Sequence, residues 1–165
     1  MNTSQFSNTA TMSFGCVDFS PEEQHRSTHT QWSKVILHAG LSPSQIRAIQ
    51  RLIAIRQLPR NWDSYESPPP SESAISAAIR ILVEIDLNEL PSPRVLPISG
   101  GGVQLEWDVG TRELELEVLS GGMIRYLKVE RGEPLGENEI APSNSVLLRS
   151  LFSWLVSDTV VERAA

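Results

Sequence analysis

Five carboxylates, Glu106, Asp108, Glu113, Glu115 and Glu117, recur at alternate positions on either side of Val109-Gly110-Thr111-Arg112. Alternate residues of a strand share a face, so two strands joined there would project all five to one side. Carboxylates gathered in this way can bind a divalent cation, or raise one another's pKa for acid–base work. They can also do no more than solvate a sheet, with Arg112, Arg125 and Lys128 neutralising part of the charge. Glutamates alternating with leucines are what any one-sided sheet needs, so the solvated face is the leading expectation. A third use is contact with a basic partner surface.

The second candidate is Asn61-Trp62-Asp63-Ser64-Tyr65, ahead of Pro68-Pro69-Pro70. Asp and Asn fix loops by accepting hydrogen bonds from nearby amides. Trp and Tyr each offer a large apolar face with a polar handle. Placed between two helices, this loop is expected to lock them together by burying the Trp62 indole in the core. The same aromatics could instead anchor a ligand or partner, so Trp62, Asp63 and Tyr65 stand as binding candidates beside the hairpin carboxylates.

Other reactive residues form no set. His25 and His29 are four apart, the spacing of two ligands on one helix face, but no acidic ligand follows at motif distance. His38 stands alone, and Cys16 has no basic neighbour at motif spacing. Gly100-Gly101-Gly102 lacks the lysine of a phosphate loop and reads as a turn. No catalytic residue, metal site or cofactor is expected from these residues.

The elements that must position the candidates can be read from periodicity. Ser42-Pro43-Ser44-Gln45 is a helix start with a capping box, and the helix should end before Pro59. Ile46, Ile49, Leu52 and Ile53 give it an apolar side. Ser71 is the expected cap of a second helix, with Ile75, Ala78, Ile79, Leu82 and Ile85 in one stripe until Leu90-Pro91. The period then changes from 3.6 to 2. Val103, Leu105 and Trp107 alternate with polar residues, as do Leu114, Leu116 and Val118, which predicts a hairpin. Met123–Glu130 is expected to be a third strand, and Arg94–Ser99 a short edge strand that tolerates Pro97. A last helix is expected over about 144–157, with Ser143 as cap and Val146, Leu147, Leu151, Trp154 and Leu155 facing inward. The fold class that results is α+β, with helices on one face of a three- or four-stranded antiparallel meander.

Composition sets the outer limits. The chain has 165 residues, 40% hydrophobic and 21% charged, with a formal charge of −6. That balance argues against direct nucleic-acid binding through phosphate neutralisation. The longest apolar stretch, Ala74–Leu82, is too short to cross a bilayer, and the start of the chain does not read as a secretory signal. The cytoplasm is the expected location. Residues 1–30 are rich in Ser, Thr, Asn and Gln and are expected to be a disordered tail ahead of a single α+β domain over 31–165.

The motif NWDSY before prolines, the Ala/Ile-rich helix, LPSPRVLPISGGGVQLEW and RELELEV together resemble a group of small uncharacterised bacterial proteins. The resemblance covers roughly residues 58–130. It implies that Trp62, Asp63, Tyr65, Glu106 and Trp107 are the positions to follow, and it brings no activity with it. The expected function is a non-enzymatic interaction protein whose partner is another protein, such as the small member of a toxin–antitoxin or defence cassette. The rivals are a metal-dependent enzyme with the hairpin carboxylates and Asp63 as ligands, and an acidic mimic of nucleic acid.

Overall fold

The computed structural model describes residues 40–84 and 90–157. The expected tail over 1–30, Cys16, the three histidines and Ile85 lie outside the described residues.

Helix α1, Pro43–Ile55, begins as its sequence dictates. The Ser42 hydroxyl accepts from the Gln45 amide, while the Gln45 side chain accepts from the Ser42 amide at 2.7 Å. Two otherwise orphaned donors are thereby satisfied. Its buried side is Gln45, Ala48, Ile49, Leu52 and Ile55, and the Gln45 side-chain Nε2 donates to the Leu82 carbonyl at 2.7 Å. That bond ties α1 to helix α2, Glu72–Glu84. Ser71 caps α2 by accepting from the Ala74 amide at 3.0 Å. Ile75, Ala78, Ile79 and Leu82 of the expected stripe are buried, and buried Ala74 and Ile81 widen it.

The sheet follows without a crossover. Strands β1 (Arg94–Ile98), β2 (Gly102–Val109), β3 (Arg112–Val118), β4 (Ile124–Glu130) and β5 (Glu133–Ile140) lie in chain order, each antiparallel to the next. The meander therefore has five strands, not three or four. The added strand β5 follows a tight turn in which Arg131 and Gly132 have φ of 52° and 81°. Two consecutive positive φ values suit the twist of a two-residue hairpin. From Glu133 to Glu139 every residue of β5 is exposed, so no apolar alternation marks it in the sequence.

Register puts Val95, Val103, Leu105, Trp107, Leu114, Leu116, Val118 and Ile124 on one face, and all eight are buried. The helices pack here: α1 against β1, α2 against β2 and β3, and helix α3, Ser145–Val156, against β3. Trp107 sits at the centre, with its ring edge-on to Phe152 at 4.8 Å and 89°. Arg112 fastens the end of α3 by donating to the Trp154 carbonyl at 2.6 Å, where the helix dipole favours a cation.

Helix α3 corrects two expectations. Asn144 rather than Ser143 is the cap, accepting from the Leu147 amide at 3.1 Å. The inward residues are Leu148, Leu151, Phe152 and Leu155, whereas Val146 is 75% exposed. Moving the start of a helix by one residue turns its apolar stripe by about 100°. Among the described residues, no helix is long and apolar enough to cross a membrane.

Candidate functional site

The Asn61–Tyr65 loop joins α1 to α2 and is held mainly by Asp63. One Asp63 oxygen accepts from the Tyr65 amide at 2.9 Å and the Ser67 amide at 3.2 Å. The other accepts from the Ser67 hydroxyl at 2.6 Å and the Ser99 hydroxyl at 3.2 Å. Asn61 adds a bond from its amide to the Ser67 carbonyl at 2.8 Å, and its side chain accepts from the Glu66 amide at 2.9 Å. These bonds hold Asn61, Ser64 and Glu66 at φ of 62°, 65° and 64°, a region that side chains other than Gly disfavour. The following prolines press on the β1–β2 turn, where a Cβ added to Gly101 would lie 3.2 Å from the Pro69 carbonyl oxygen.

The two aromatics of this loop differ. Trp62 is half-buried and donates from its indole to the Pro68 carbonyl at 3.1 Å, so it braces the loop and does not plug the core. Tyr65 is 86% exposed, the most exposed of the large apolar side chains among the described residues. Trp62→Ala is therefore expected to destabilise by about 1–2 kcal/mol, less than the 3–5 of a fully buried tryptophan. Tyr65→Ala should leave stability within about 0.5 kcal/mol. Thermal melting of the two variants checks both values.

The hairpin carboxylates occupy the sheet face opposite the helices. In the β2–β3 pairing Glu106 stands against Glu115, Asp108 against Glu113, and Gln104 against Glu117. β4 places Arg125, Leu127 and Val129 on this face, and β5 adds Glu137 and Glu139. Seven carboxylates thus share the face with two guanidiniums, those of Arg94 and Arg125. Seven carboxylates less two guanidiniums leave this face a formal charge of −5, far more acidic than the rest of the described residues.

At its centre Gln104 donates to both Glu106 at 2.9 Å and Glu115 at 3.2 Å, linking the opposed carboxylates. Arg94 pairs with the second oxygen of Glu106, whose side chain is 12% exposed. Arg125 bridges Glu117 at 3.1 Å and Glu139 at 3.3 Å. Glu115 has no arginine of its own among these pairs. Burial, then the charges of Glu106, Glu113 and Glu117, raise its pKa above the ordinary 4.5, with Arg94 opposing. A groove of about 220 Å³ opens beside it, lined in part by Pro91, Ser92, Arg94, Glu106 and Glu113.

The two candidate groups are not brought together. Asp63 reaches Ser99, in the turn before β2, whereas Asp108 and Glu113 flank the turn at its other end. At about 3.3 Å per residue, roughly 20 Å of strand separates them. Both Asp63 oxygens are also occupied by the loop. Among the described residues no three His, Cys, Asp or Glu side chains converge to hold a metal ion. The ligand set of hairpin carboxylates plus Asp63 is not assembled.

Acid titration should separate the two groups. Asp63, held by the Ser67 hydroxyl first and then by the two amides and Ser99 against the effect of burial, falls from 3.8 to about 2. Its contribution to stability is complete above 3.8 and disappears as the pH drops toward 2. Glu115 has the opposite sign: its folded pKa is raised, so its contribution is complete below 4.5 and lost as the pH rises through the folded value. Melting temperature against pH should therefore lose the acid-side fall in Asp63→Asn, and lose the gain on acidification from neutrality in Glu115→Gln.

Sequence reasoning missed Gln104 and Arg94 as organisers of the acidic face, and Glu137 and Glu139 as members of it. Gln104 was legible as the one uncharged polar side chain among the outward positions of β2. The other three depend on how β1 and β5 pair. Comparison with protein-family models, with curated proteins and with solved structures finds no match to the chain.

Proposed function

We propose that this chain is a non-enzymatic interaction protein whose acidic sheet face receives a basic surface of another protein. The observation that carries the proposal is the direct opposition of Glu106 to Glu115 and of Asp108 to Glu113. Like charges placed opposite each other destabilise a sheet, and a face needing only solubility would intersperse the signs. The repulsion is relieved when cations dock, and complementary potentials also speed and orient association. A groove that ordinarily holds nucleic acid is one kind of surface that would fit, as is the basic member of a two-protein cassette.

Tyr65 supports the same class of function from a different place. An exposed tyrosine on a loop fixed by internal hydrogen bonds loses little conformational freedom on binding, which is the usual profile of an interface anchor.

Capture from a lysate of the native host tests the proposal. The immobilised native chain should retain a stoichiometric protein that elutes with salt, and a Glu113→Gln/Glu115→Gln variant should not. Equal retention by both would refute the acidic face as the contact.

A further inference from the structure

We infer that the open edge of β5 is a strand-addition site for an extended basic segment, an inference that deepens the acidic-face reading and rests on it. Among the described residues β5 pairs only with β4, so the amides and carbonyls of its other edge are unpaired within the sheet. Nothing described covers either side of Glu133–Glu139. Such an edge is a template for another strand unless it is blocked.

The two edges of this sheet are treated differently. β1 has five residues, contains Pro97, which lacks an amide donor, and is packed by α1. β5 has eight, and its proline and bulge are confined to its beginning, at Pro134 and opposite Lys128/Val129. From Gly136 to Ile140 the pairing with β4 is regular. The section best suited to accept a strand also carries Glu137 and Glu139.

Those two charges select the occupant. A second copy pairing antiparallel about Asn138 would set Glu137 of each chain against Glu139 of the other, so self-addition is repelled. A strand with Lys or Arg at alternate positions meets them favourably. Its cations would lie on the outer face, beside Glu137 and Glu139 and continuous with Glu113 and Glu115 through Leu127 and Val129. Its other side chains would lie beside Gly136 and Asn138, where there is room and no opposing charge. The occupant is thus an extended segment of a partner protein, basic at every second residue.

A fluorescein-labelled alternating Lys–Thr peptide of about eight residues, matched to the strand, is the probe. Titrated with the full chain, it should show salt-sensitive anisotropy and slow hydrogen exchange at amides of Glu133–Ile140. The same peptide N-methylated at its central lysines and threonines alike keeps its charge but loses the donors on both of its edges, and should bind at least tenfold more weakly. Glu137→Gln/Glu139→Gln should weaken the unmodified peptide to a similar degree. Equal binding of both peptides, or protection elsewhere than β5, would overturn strand addition while leaving the acidic face intact. Absence of binding by either peptide also overturns it, and lysate capture lost in Glu113→Gln/Glu115→Gln would show separately that the face reading survives.

Discussion

Trp107→Ala is expected to destabilise the fold by about 3–5 kcal/mol, the largest effect of any substitution considered, because the side chain is removed from the centre of the core. The indole is 2% exposed, packs edge-on to Phe152 and lies beside Leu105 and Leu114 on the helix-facing side of the sheet. For a domain of this size the loss corresponds to a fall in melting temperature of about 10–20 °C. Trp107→Phe should be much milder. Among the described residues the buried Trp107 indole N–H has no hydrogen-bond partner. A donor buried without a partner costs about 1–3 kcal/mol, so removing it offsets part of the lost apolar area. A Phe variant that melts as low as the Ala variant would mean that the N–H has a partner after all.

Neutralising Glu113 and Glu115 as glutamines is expected to have opposite effects on stability and on binding. The pairings with Asp108 and Glu106 lose their repulsion, while the amide oxygen that replaces the Glu115 carboxylate can still accept from Gln104 and the Arg94–Glu106 ion pair is untouched. Relief of two like-charge cross-strand pairs stabilises by about 0.5–1 kcal/mol. Affinity for a basic partner should fall by about 2–5 kcal/mol, at least thirtyfold, since each desolvated charge on the partner is left unpaired. Added salt should raise the melting temperature of the native chain more than that of the variant, because screening weakens the same repulsion.

The half of the fold that buries apolar residues on a regular period was legible in the sequence. Ser42 and Gln45 announced α1, the Ile75–Leu82 stripe announced α2, and the alternation of Val103, Leu105 and Trp107 with Gln104, Glu106 and Asp108 announced β2. What escaped was the part that buries little. β5 exposes both its faces as far as Glu139, so Glu133–Glu139 carries no alternation, and Pro134 and Gly136 argue locally for a loop. The Arg131-Gly132 pair after a strand was its only local signal. In α3 the error was one of phase, because Val146, Leu147, Leu148, Leu151 and Phe152 offer two overlapping stripes and the cap decides between them.

For the candidate site, alternation placed Glu106, Asp108, Glu113, Glu115 and Glu117 on one face, and pairing confirmed it. Alternation alone could not show that these residues oppose one another, since that depends on the register fixed by the Gly110-Thr111 turn. It also could not separate the roles of Trp62, Asp63 and Tyr65. The sequence offered structure or binding for the loop as a whole, whereas Asp63 and Trp62 hold the loop and Tyr65 is left in solvent.

The most direct measurement is calorimetric titration of the captured partner into the native chain and into Glu113→Gln/Glu115→Gln, at low and at high salt. Binding to the native chain should be tight and salt-sensitive, and binding to the variant, which melts no lower, at least thirtyfold weaker. Equal affinity for the two chains, or binding indifferent to salt, would contradict the acidic face as the contact.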